Sequence, residues 1–300
     1  MNILILGGNG FIGKNLGRHL GNKGYSVTSF DIVSPEKKED NIQYVIGDFF
    51  DDTSLTSRLE NIDVVIHAIS TINPGNSNTK YMQGYEGDFI QSIKLAKLSL
   101  RYNFKLIYLS SGGTVYGNQE SMPILEDTLP LPVNHYGNLK LCVENTYRTF
   151  NIQAGTSIKI ARIANPYGPG QDYLKGVGFI DAALKRAMNN EKICVFGDGS
   201  VVRDYIYIDD VCKMLEKIIL YSGGIDVFNV GTGKGTSQNE IIDIIKDLLD
   251  NTLLEYLPAR TVDVPKIVLD NSRISTIYDG KCLDIESGMF KYYKYMRSEI

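Results

Sequence analysis

The sequence predicts an α/β fold built on one doubly wound parallel sheet. Short, wholly apolar runs such as 3–6 are typical of parallel strands that are buried on both faces. Helical patterns fill most of the gaps between these runs, so strands and helices alternate through the first two thirds of the chain. Repeated strand, helix and strand units with right-handed crossovers define a Rossmann-type sheet.

The predicted elements follow one another in a regular order. The strands are expected at 3–6, 25–31, 43–46, 63–68, 105–110, 157–163 and 227–230. The first helix carries an apolar stripe at Ile12, Leu16 and Leu20, and Gly24 marks its end. Further helices are predicted over 88–101, 138–150 and 179–188.

Composition and charge exclude several classes of protein. The 300 residues carry a net charge of −4 without a basic block, so nucleic acid is not expected as a partner. The cysteines at 142, 194, 212 and 282 form no CxxC pair, and we interpret them as buried apolar side chains rather than metal ligands or disulfides. No apolar run reaches the roughly 18 residues of a membrane span, and no signal peptide is recognised. We therefore expect a cytoplasmic protein without membrane partners.

Glycines at intervals of three follow the first strand and open the first helix. Gly7 permits a tight turn, Gly10 permits close approach of a pyrophosphate, and Gly13 permits close packing of helix on strand. The start of the helix, at Phe11 and Ile12, then points its amide groups at the phosphates. This turn predicts a dinucleotide site.

Acidic residues at the ends of the next two strands bear on the choice of dinucleotide. Asp31 ends the second strand and is placed to accept hydrogen bonds from ribose hydroxyls. Its charge would repel a 2′-phosphate, and the next two residues offer no arginine, so NAD is favoured over NADP. Asp48 and Phe49, after the third strand, are candidates for contact with the adenine. Ala68, after the fourth strand, is expected to line the same cleft.

The regular alternation ends after Asn165, in a loop rich in proline and glycine. We therefore predict that residues 1–166 form the NAD-binding domain, to which a strand and a helix return around 204–232. Residues 167–203 and 233–300 are predicted to form a smaller, mixed C-terminal lobe that binds substrate. Ligands of doubly wound folds lie at the carboxyl edge of the sheet, so this lobe is expected to close over that edge.

A second constellation lies at the start of the helix predicted over 138–150. Tyr136 and Lys140 are four residues apart, which places them on one helix face. A free phenol has a pKa of about 10, too high for a base at neutral pH, and a nearby cation lowers it. We expect Lys140 and an oxidised nicotinamide to supply that effect together, which makes Tyr136 the candidate base of a hydride-transfer site. Upstream, Ser111 and Thr114 each offer a hydroxyl for a substrate oxygen, and both stay candidates.

Six stretches of the sequence occur in the order and spacing of one family. They are GGNGFIG at 7–13, SSGGTVYG at 110–117, YGNLK at 136–140, RIANPYGPGQ at 162–171, RDYIYIDD at 203–210 and FNVGTG at 228–233. The chain resembles the extended short-chain dehydrogenase/reductase family, and within it the NAD-dependent epimerases and dehydratases of nucleotide sugars. The resemblance is greatest to enzymes of the UDP-glucose 4-epimerase type.

The resemblance implies an isomerase that inverts C4 of a UDP-hexose or UDP-N-acetylhexosamine through a transient 4-keto sugar. NAD would be held tightly, Tyr136 would take the proton of the 4-hydroxyl, and Lys140 would hold the nicotinamide ribose. The substrate-binding residues implied by the same resemblance are Ser111, Asn165, Phe196, Arg203 and Arg260. It also implies a homodimer formed through the helices at 88–101 and 138–150.

The chain departs from the family pattern at two places. Gly112 stands where the best-defined epimerases have a serine, so the hydroxyl helper has to be Ser111 or Thr114. Asp88 or a neighbour replaces an asparagine that usually contacts cofactor phosphate. The small residues Gly112 and Gly113 suggest room for a bulky 2-substituent on the sugar.

Other functions remain as alternatives to the epimerase. Dehydratases of the family carry an Asp-Glu pair directly after the threonine, where this chain has Val115 and Tyr116. Reductases of the family favour NADP, which Asp31 opposes, and no specific feature indicates a decarboxylase. A non-catalytic dinucleotide-binding protein would commonly lose the tyrosine or the lysine, and this chain keeps both. The sugar and the nucleotide base stay open.

Overall fold

The computed structural model describes residues 1–172, 174, 177–259 and 264–299. Its strands are β1 (Asn2–Leu6), β2 (Ser26–Asp31), β3 (Ile42–Ile46), β4 (Val64–His67), β5 (Lys105–Ser111), β6 (Ile158–Ile163), β7 (Asn165–Tyr167), β8 (Ile193–Phe196), β9 (Val202–Arg203), β10 (Tyr205–Tyr207), β11 (Val227–Val230), β12 (Thr236–Ser237), β13 (Leu254–Leu257) and β14 (Lys266–Ile267). Its helices are α1 (Phe11–Asn22), α2 (Asp52–Thr56), α3 (Ser77–Gln83), α4 (Ile90–Tyr102), α5 (Gly112–Val115), α6 (His135–Ala154), α7 (Phe179–Met188), α8 (Ile208–Leu220), α9 (Gln238–Leu248), α10 (Ser272–Ser275) and α11 (Ile285–Ser298). A π-helical turn, Gly84–Phe89, joins α3 to α4.

One large parallel sheet dominates the fold, with the strand order β11-β6-β5-β4-β1-β2-β3. The strand order reverses beside β1, which is hydrogen-bonded to both β2 and β4. Crevices at such switch points, outside the carboxyl ends of the strands, are where doubly wound sheets bind ligands. Because the central strands are apolar on both sides, the sheet carries one core against α1 and α8 and another against α4 and α6.

Three small sheets follow at the carboxyl end of the large one. β7 pairs with β10, β8 pairs with β13, and β9 lies between β12 and β14. β7 begins two residues after β6 ends, so Asn165 lies at the carboxyl end of a central strand. β11 joins the large sheet beside β6, although the strands nearest to it in sequence belong to the small sheets. The strand at 227–230 thus lies in the sheet formed by the first 166 residues.

The predicted fold class is confirmed, and the predicted strand ends agree with the structure to within one or two residues. The start predicted for the second long helix, residue 88, lies inside the π-helical turn, which widens the chain around Asp88. The α-helix α4 itself begins at Ile90. The one-turn helix α5 carries no apolar period and was not predicted. None of the described helices combines the length and the hydropathy that spanning a bilayer requires.

Candidate active site

The glycine turn lies between β1 and α1, at the switch point of the sheet. Gly7 has a φ of +79°, which residues with a side chain rarely adopt. A Cβ at Gly13 would overlap the carbonyl of Gly7, so only glycine lets α1 pack this closely on the turn. A Cβ at Gly10 would meet only that same carbonyl, and no side chain caps α1 there. The first amide groups of α1, at Phe11 and Ile12, therefore face a concave surface that fits a pyrophosphate.

Asp31 ends β2 beside this turn and is fixed by two backbone groups. Its Oδ2 accepts the N–H of Asn9 at 3.0 Å, and its Oδ1 accepts the N–H of Val33 at 3.2 Å. Asn9 is itself held, because its Oδ1 accepts the hydroxyl of Ser29 at 2.8 Å. The glycine turn and the carboxylate are thus one rigid unit, which suits a dinucleotide without a 2′-phosphate.

The residues predicted to contact the adenine differ in their accessibility. Asp48 is partly exposed, and its Oδ1 accepts the N–H of Phe50 at 2.9 Å, as in a turn. The ring of Phe49 is only 3% exposed and lies 5.2 Å from the ring of His67. The ring of Phe49 is therefore part of the core, and contact of this residue with the cofactor stays a prediction. Ala68 borders the cleft, with its carbonyl carbon 3.3 Å from a Cβ built on Gly7.

The start of α6 presents Tyr136 and Lys140 on one face. Asn134 caps this helix, because its Oδ1 accepts the N–H of Gly137 at 2.8 Å. The ammonium of Lys140 lies 5.5 Å from the centre of the Tyr136 ring. It also donates to the carbonyl of Leu109 in β5 at 3.0 Å, which ties the helix to the sheet. The tyrosine therefore has a fixed position at the carboxyl edge of β5.

The protein alone does not activate Tyr136 as a base. Desolvation, with a smaller contribution from the charge of Asp88, raises the pKa of Tyr136 to about 12. Packing removes water from the phenol while the lysine is itself buried, so Lys140 alone does not lower the pKa of Tyr136. The lowering expected from Lys140 and an oxidised nicotinamide together stays a prediction for the cofactor-bound site. A phenolate at neutral pH therefore requires a further positive charge in the cleft, such as an oxidised nicotinamide.

Lys140 is itself a costly group to bury. Desolvation lowers its pKa from 10.5 to about 8, although the charges of Asp88 and Glu144 act in the opposite direction. A lysine held in such a place destabilises the folded chain at neutral pH, since the unfolded chain binds the proton more tightly. Its retention indicates a role other than stability.

We expect Lys140→Met to raise the free energy of unfolding of the nucleotide-free protein by about 2 kcal/mol at pH 7. Between pH 8 and 10.5 the unfolded wild type carries the proton that the folded wild type has lost. The stability of the wild type relative to the variant therefore rises with pH across this window, and the advantage of methionine shrinks. Urea unfolding of both proteins at pH 7 and at pH 9.5 measures the difference. An advantage that is the same at both pH values would contradict this account.

The hydroxyl candidates lie where β5 passes into α5. Ser111 is the last residue of β5, whereas Thr114 lies within α5 and its carbonyl packs against Gly137, the neighbour of Tyr136. The Oγ1 atom of Thr114 is buried and has no hydrogen-bond partner among the described residues. An orphaned buried hydroxyl beside the tyrosine indicates a place that a ligand completes.

The two glycines of α5 have different surroundings. A Cβ at Gly112 would overlap Leu269, so the missing side chain is replaced by core packing and leaves no room for substrate. A Cβ at Gly113 would lie 3.5 Å from Oδ1 of Asn165, at an ordinary contact distance across the cleft. The expectation of space at both glycines is therefore corrected, since only Gly113 borders the cleft.

The predicted substrate residues lie around the small sheets. Asn165 is partly buried at the start of β7, and its N–H donates to the carbonyl of Asp204 at 2.9 Å. Arg203, the residue before Asp204, ends β9 and is half-buried. Phe196 ends β8 in a separate two-stranded sheet. The structure thus brings Asn165 next to Asp204, the residue that follows Arg203, while Arg260 lies outside the described residues.

Sequence reasoning missed a buried ion pair beneath the site. Arg162 in β6 donates to both carboxylate oxygens of Glu144 in α6, the shortest of these bonds being 2.7 Å. Its Nη1 donates to the hydroxyl of Tyr116 at 2.8 Å, and Ser110 donates to Glu144 at 2.5 Å. The signal in the sequence was Glu144 one turn beyond Lys140 on the same helix face, but nothing local pointed to its partner.

The fold and the site define a class of protein: an α/β dinucleotide-binding protein with a tyrosine and lysine pair at the carboxyl edge of its sheet. The sequence model described as the NAD dependent epimerase/dehydratase family matches residues 3–231. The chain therefore belongs to this family. The predicted family and its cofactor NAD are confirmed.

Known relatives cover almost the whole chain. It is 31% identical over 290 residues to the UDP-glucose 4-epimerase of Mycolicibacterium smegmatis, with 91% of each chain covered. It is 32% identical over 290 residues to the dTDP-4-dehydro-6-deoxyglucose reductase of Escherichia coli, with 90% of this chain and 89% of the relative covered. The crystal structure of the UDP-glucose 4-epimerase of Thermotoga maritima with UDP-glucose superimposes with a TM-score of 0.93 at 30% identity, covering 100% of this chain and 99% of the other.

Proposed function

We propose that this protein is an NAD-dependent nucleotide-sugar 4-epimerase that acts on a UDP-hexose or UDP-N-acetylhexosamine. The observation that carries the proposal is Tyr136, held on α6 beside Lys140, together with the buried hydroxyl of Thr114, which has no hydrogen-bond partner among the described residues. The similarity of the whole chain to a UDP-glucose 4-epimerase whose structure contains UDP-glucose supports the substrate class.

The cofactor has a place into which it fits. Gly7, Gly10 and Gly13 make room for a pyrophosphate at α1, and Asp31 is fixed for the ribose hydroxyls. NAD, when bound, would supply reversible hydride transfer at C4 of the sugar. Lys140 keeps donors free besides the one that Leu109 accepts, so it can hold the nicotinamide ribose.

The protein's own groups handle the proton. Tyr136 takes it from the 4-hydroxyl, and its raised pKa means that it does so only while a positive charge lies in the cleft. Proton removal by Tyr136 is therefore coupled to the presence of an oxidised nicotinamide in the cleft. Asn165 and Arg203 are the described residues placed to hold the sugar and the diphosphate, for which a forked guanidinium is suited. Phe196 and Arg260 complete the proposed substrate site by resemblance.

The positions that would carry elimination chemistry are core residues. Val115 and Tyr116 follow Thr114, and neither side chain is exposed. The hydroxyl of Tyr116 donates to Oδ1 of Asn229 at 2.7 Å and accepts a bond from Arg162, so it is committed to structure. Because an elimination needs a second acid or base at this place, a dehydratase is disfavoured.

A panel of nucleotide sugars tests the proposed function. The purified protein is incubated with UDP-glucose, UDP-N-acetylglucosamine, UDP-glucuronic acid or UDP-xylose, without added cofactor, and inversion at C4 is followed by NMR. We expect at least one 4-epimer to form. Failure with every sugar would overturn the proposal.

A nucleotide-sugar reductase is the second candidate, because one relative at 32% identity is a reductase. A reductase consumes external reduced cofactor in proportion to product, whereas an epimerase needs none. Oxidation of added NADH or NADPH in the presence of a dTDP-4-keto sugar would therefore favour this candidate.

The hydroxyl helper is proposed to be Thr114 rather than Ser111. Of these two hydroxyls, only that of Thr114 is buried without a hydrogen-bond partner among the described residues. We expect Thr114→Val, which keeps the shape, to lower the turnover number about 10- to 100-fold, at the lower end of positioned acid–base effects. Ser111→Ala is expected to lower it much less. The same NMR assay measures both variants, and the reverse order would assign the role to Ser111.

We also propose that the protein is a cytoplasmic homodimer. The four cysteines are free thiols, as is usual in a reducing compartment. Ile90 and Leu100 on α4 are apolar and exposed, and Phe150 lines an open groove on the adjacent α6. Two copies facing each other through these helices would bury these groups. Analytical ultracentrifugation tests the dimer, and a monomer at micromolar concentration would contradict it.

A further inference from the structure

Asp88 is a buried carboxylate beside the site that the proposed reaction does not use. It lies in the π-helical turn and is only 4% exposed. Its Oδ2 accepts the hydroxyl of Ser70 at 3.0 Å and the N–H of Thr71 at 2.8 Å. Its Oδ1 has no hydrogen-bond partner in the described part of the chain. Because an unpartnered buried carboxylate oxygen is costly, the arrangement indicates that a ligand compensates it.

The position of Asp88 is between the dinucleotide cleft and the tyrosine. Ser70 and Thr71 belong to the segment that leaves β4 through Ala68, and Ala68 packs against the glycine turn. On the other side, the charge of Asp88 raises the pKa values of Tyr136 and Lys140, so it acts across the active site. π-helical turns of this kind often occur at functional sites.

The carboxylate of Asp88 has no ion-pair partner among the residues that the structure describes. Lys140 is near enough for the charge of Asp88 to raise its pKa, but its ammonium donates to Leu109 and not to Asp88. Burial lowers the pKa of His67 to about 3, which leaves that ring uncharged at neutral pH. Oδ1 of Asp88, which has no partner within the described residues, therefore attracts a further positive group in the cleft.

We propose that Asp88 selects the oxidised form of the cofactor, so that the site binds NAD⁺ in preference to NADH. The nicotinamide ring is positive when oxidised and neutral when reduced, and a buried carboxylate distinguishes the two by Coulomb attraction. The inference rests on the proposed function, because an enzyme that returns its hydride in every turnover must rest oxidised. Without a preference for NAD⁺, an enzyme that loses the keto sugar in mid-turnover would keep NADH bound and stay inactive.

Asp88→Asn tests the inference, since the amide removes the charge and can still accept from Ser70 and Thr71. The protein is equilibrated with mixtures of NAD⁺ and NADH, free nucleotide is removed, and the bound ratio is measured by chromatography. Removing a nearby unit charge, at an effective dielectric constant of about 20, is expected to change such a ratio about tenfold. We expect the preference for NAD⁺ to fall by this factor in Asp88→Asn and in Asp88→Ser.

Ser70→Ala is the matched control, because it removes one bond to Asp88 and keeps the charge. We expect its partition to stay within about twofold of the wild type, well below the charge effect. An unchanged ratio of bound NAD⁺ to NADH in both Asp88 variants would overturn the inference. An equal fall of this ratio in Ser70→Ala would also overturn it, because the cause would then lie in the segment after β4 that contains Ser70. The second neutral variant keeps the test decisive if one of the two does not fold. A wild type that binds neither nucleotide would instead refute the proposed function.

Discussion

Tyr136→Phe is expected to lower the rate of C4 inversion by about 10²–10⁴-fold, the usual contribution of a positioned acid or base. The phenylalanine keeps the ring on α6 and removes only the group that exchanges the proton. Because the glycine turn and Asp31 are untouched, the variant is expected to retain bound NAD. The NMR assay measures turnover, and the absorbance of nucleotide released on denaturation measures occupancy.

Tyr85→Phe is the matched control for this variant. The hydroxyl of Tyr85 lies 3.2 Å from Nδ1 of His135 and accepts a bond from Asn138 at 2.7 Å, so it belongs to the same neighbourhood without facing Lys140. We expect its turnover to stay near that of the wild type. Retained turnover in Tyr136→Phe would contradict the proposed mechanism, and loss of nucleotide would show that the hydroxyl of Tyr136 supports cofactor binding.

The parts of this molecule that sequence reasoning predicted are those fixed by local pattern. The apolar runs determine the strands because both faces of a parallel sheet are buried. The spacing of Gly7, Gly10 and Gly13 follows from the geometry of one turn and one helix end. Likewise, a separation of four residues is sufficient to place Tyr136 beside Lys140.

The parts that sequence reasoning did not reach depend on contacts between distant segments. Gly112 suggested an open pocket, but the space beside it is filled by Leu269, from the other end of the chain. Phe49 follows a strand end that suited a cofactor contact, yet its ring packs against His67. Desolvation of Tyr136 likewise comes from the packing of the whole site, which is why the sequence did not indicate the raised pKa that this tyrosine has without the cofactor.

Asp88 shows how a departure from a family pattern gains meaning from structure. In the sequence, an acid near a pyrophosphate was only unfavourable. In the structure, the same acid is bound to Ser70 and Thr71 on one side and has a free oxygen on the other. Its charge acts on both Tyr136 and Lys140, the two residues proposed to take part in the reaction.

Arg162→Met is expected to lower the free energy of unfolding by about 3–5 kcal/mol, the cost of leaving one member of a buried ion pair without its partner. Glu144 is not exposed at all and Arg162 is 2% exposed, so water cannot replace the lost guanidinium. The carboxylate would retain only the bond from Ser110. Equilibrium unfolding in urea measures the loss.

Two further variants separate the ion pair from the volume of its side chains. Lys94→Met breaks an ion pair with Asp52 whose side chains are 48% and 60% exposed, and its cost should be far smaller than that of Arg162→Met. Glu144→Leu combined with Arg162→Met removes both charges, and we expect this double variant to be more stable than Arg162→Met alone. If the double variant is the less stable of the two, the cost lies in packing and not in the unpaired carboxylate. The pair matters to the site because Ser110 and Tyr116, which it holds, flank α5, the helix that contains Thr114.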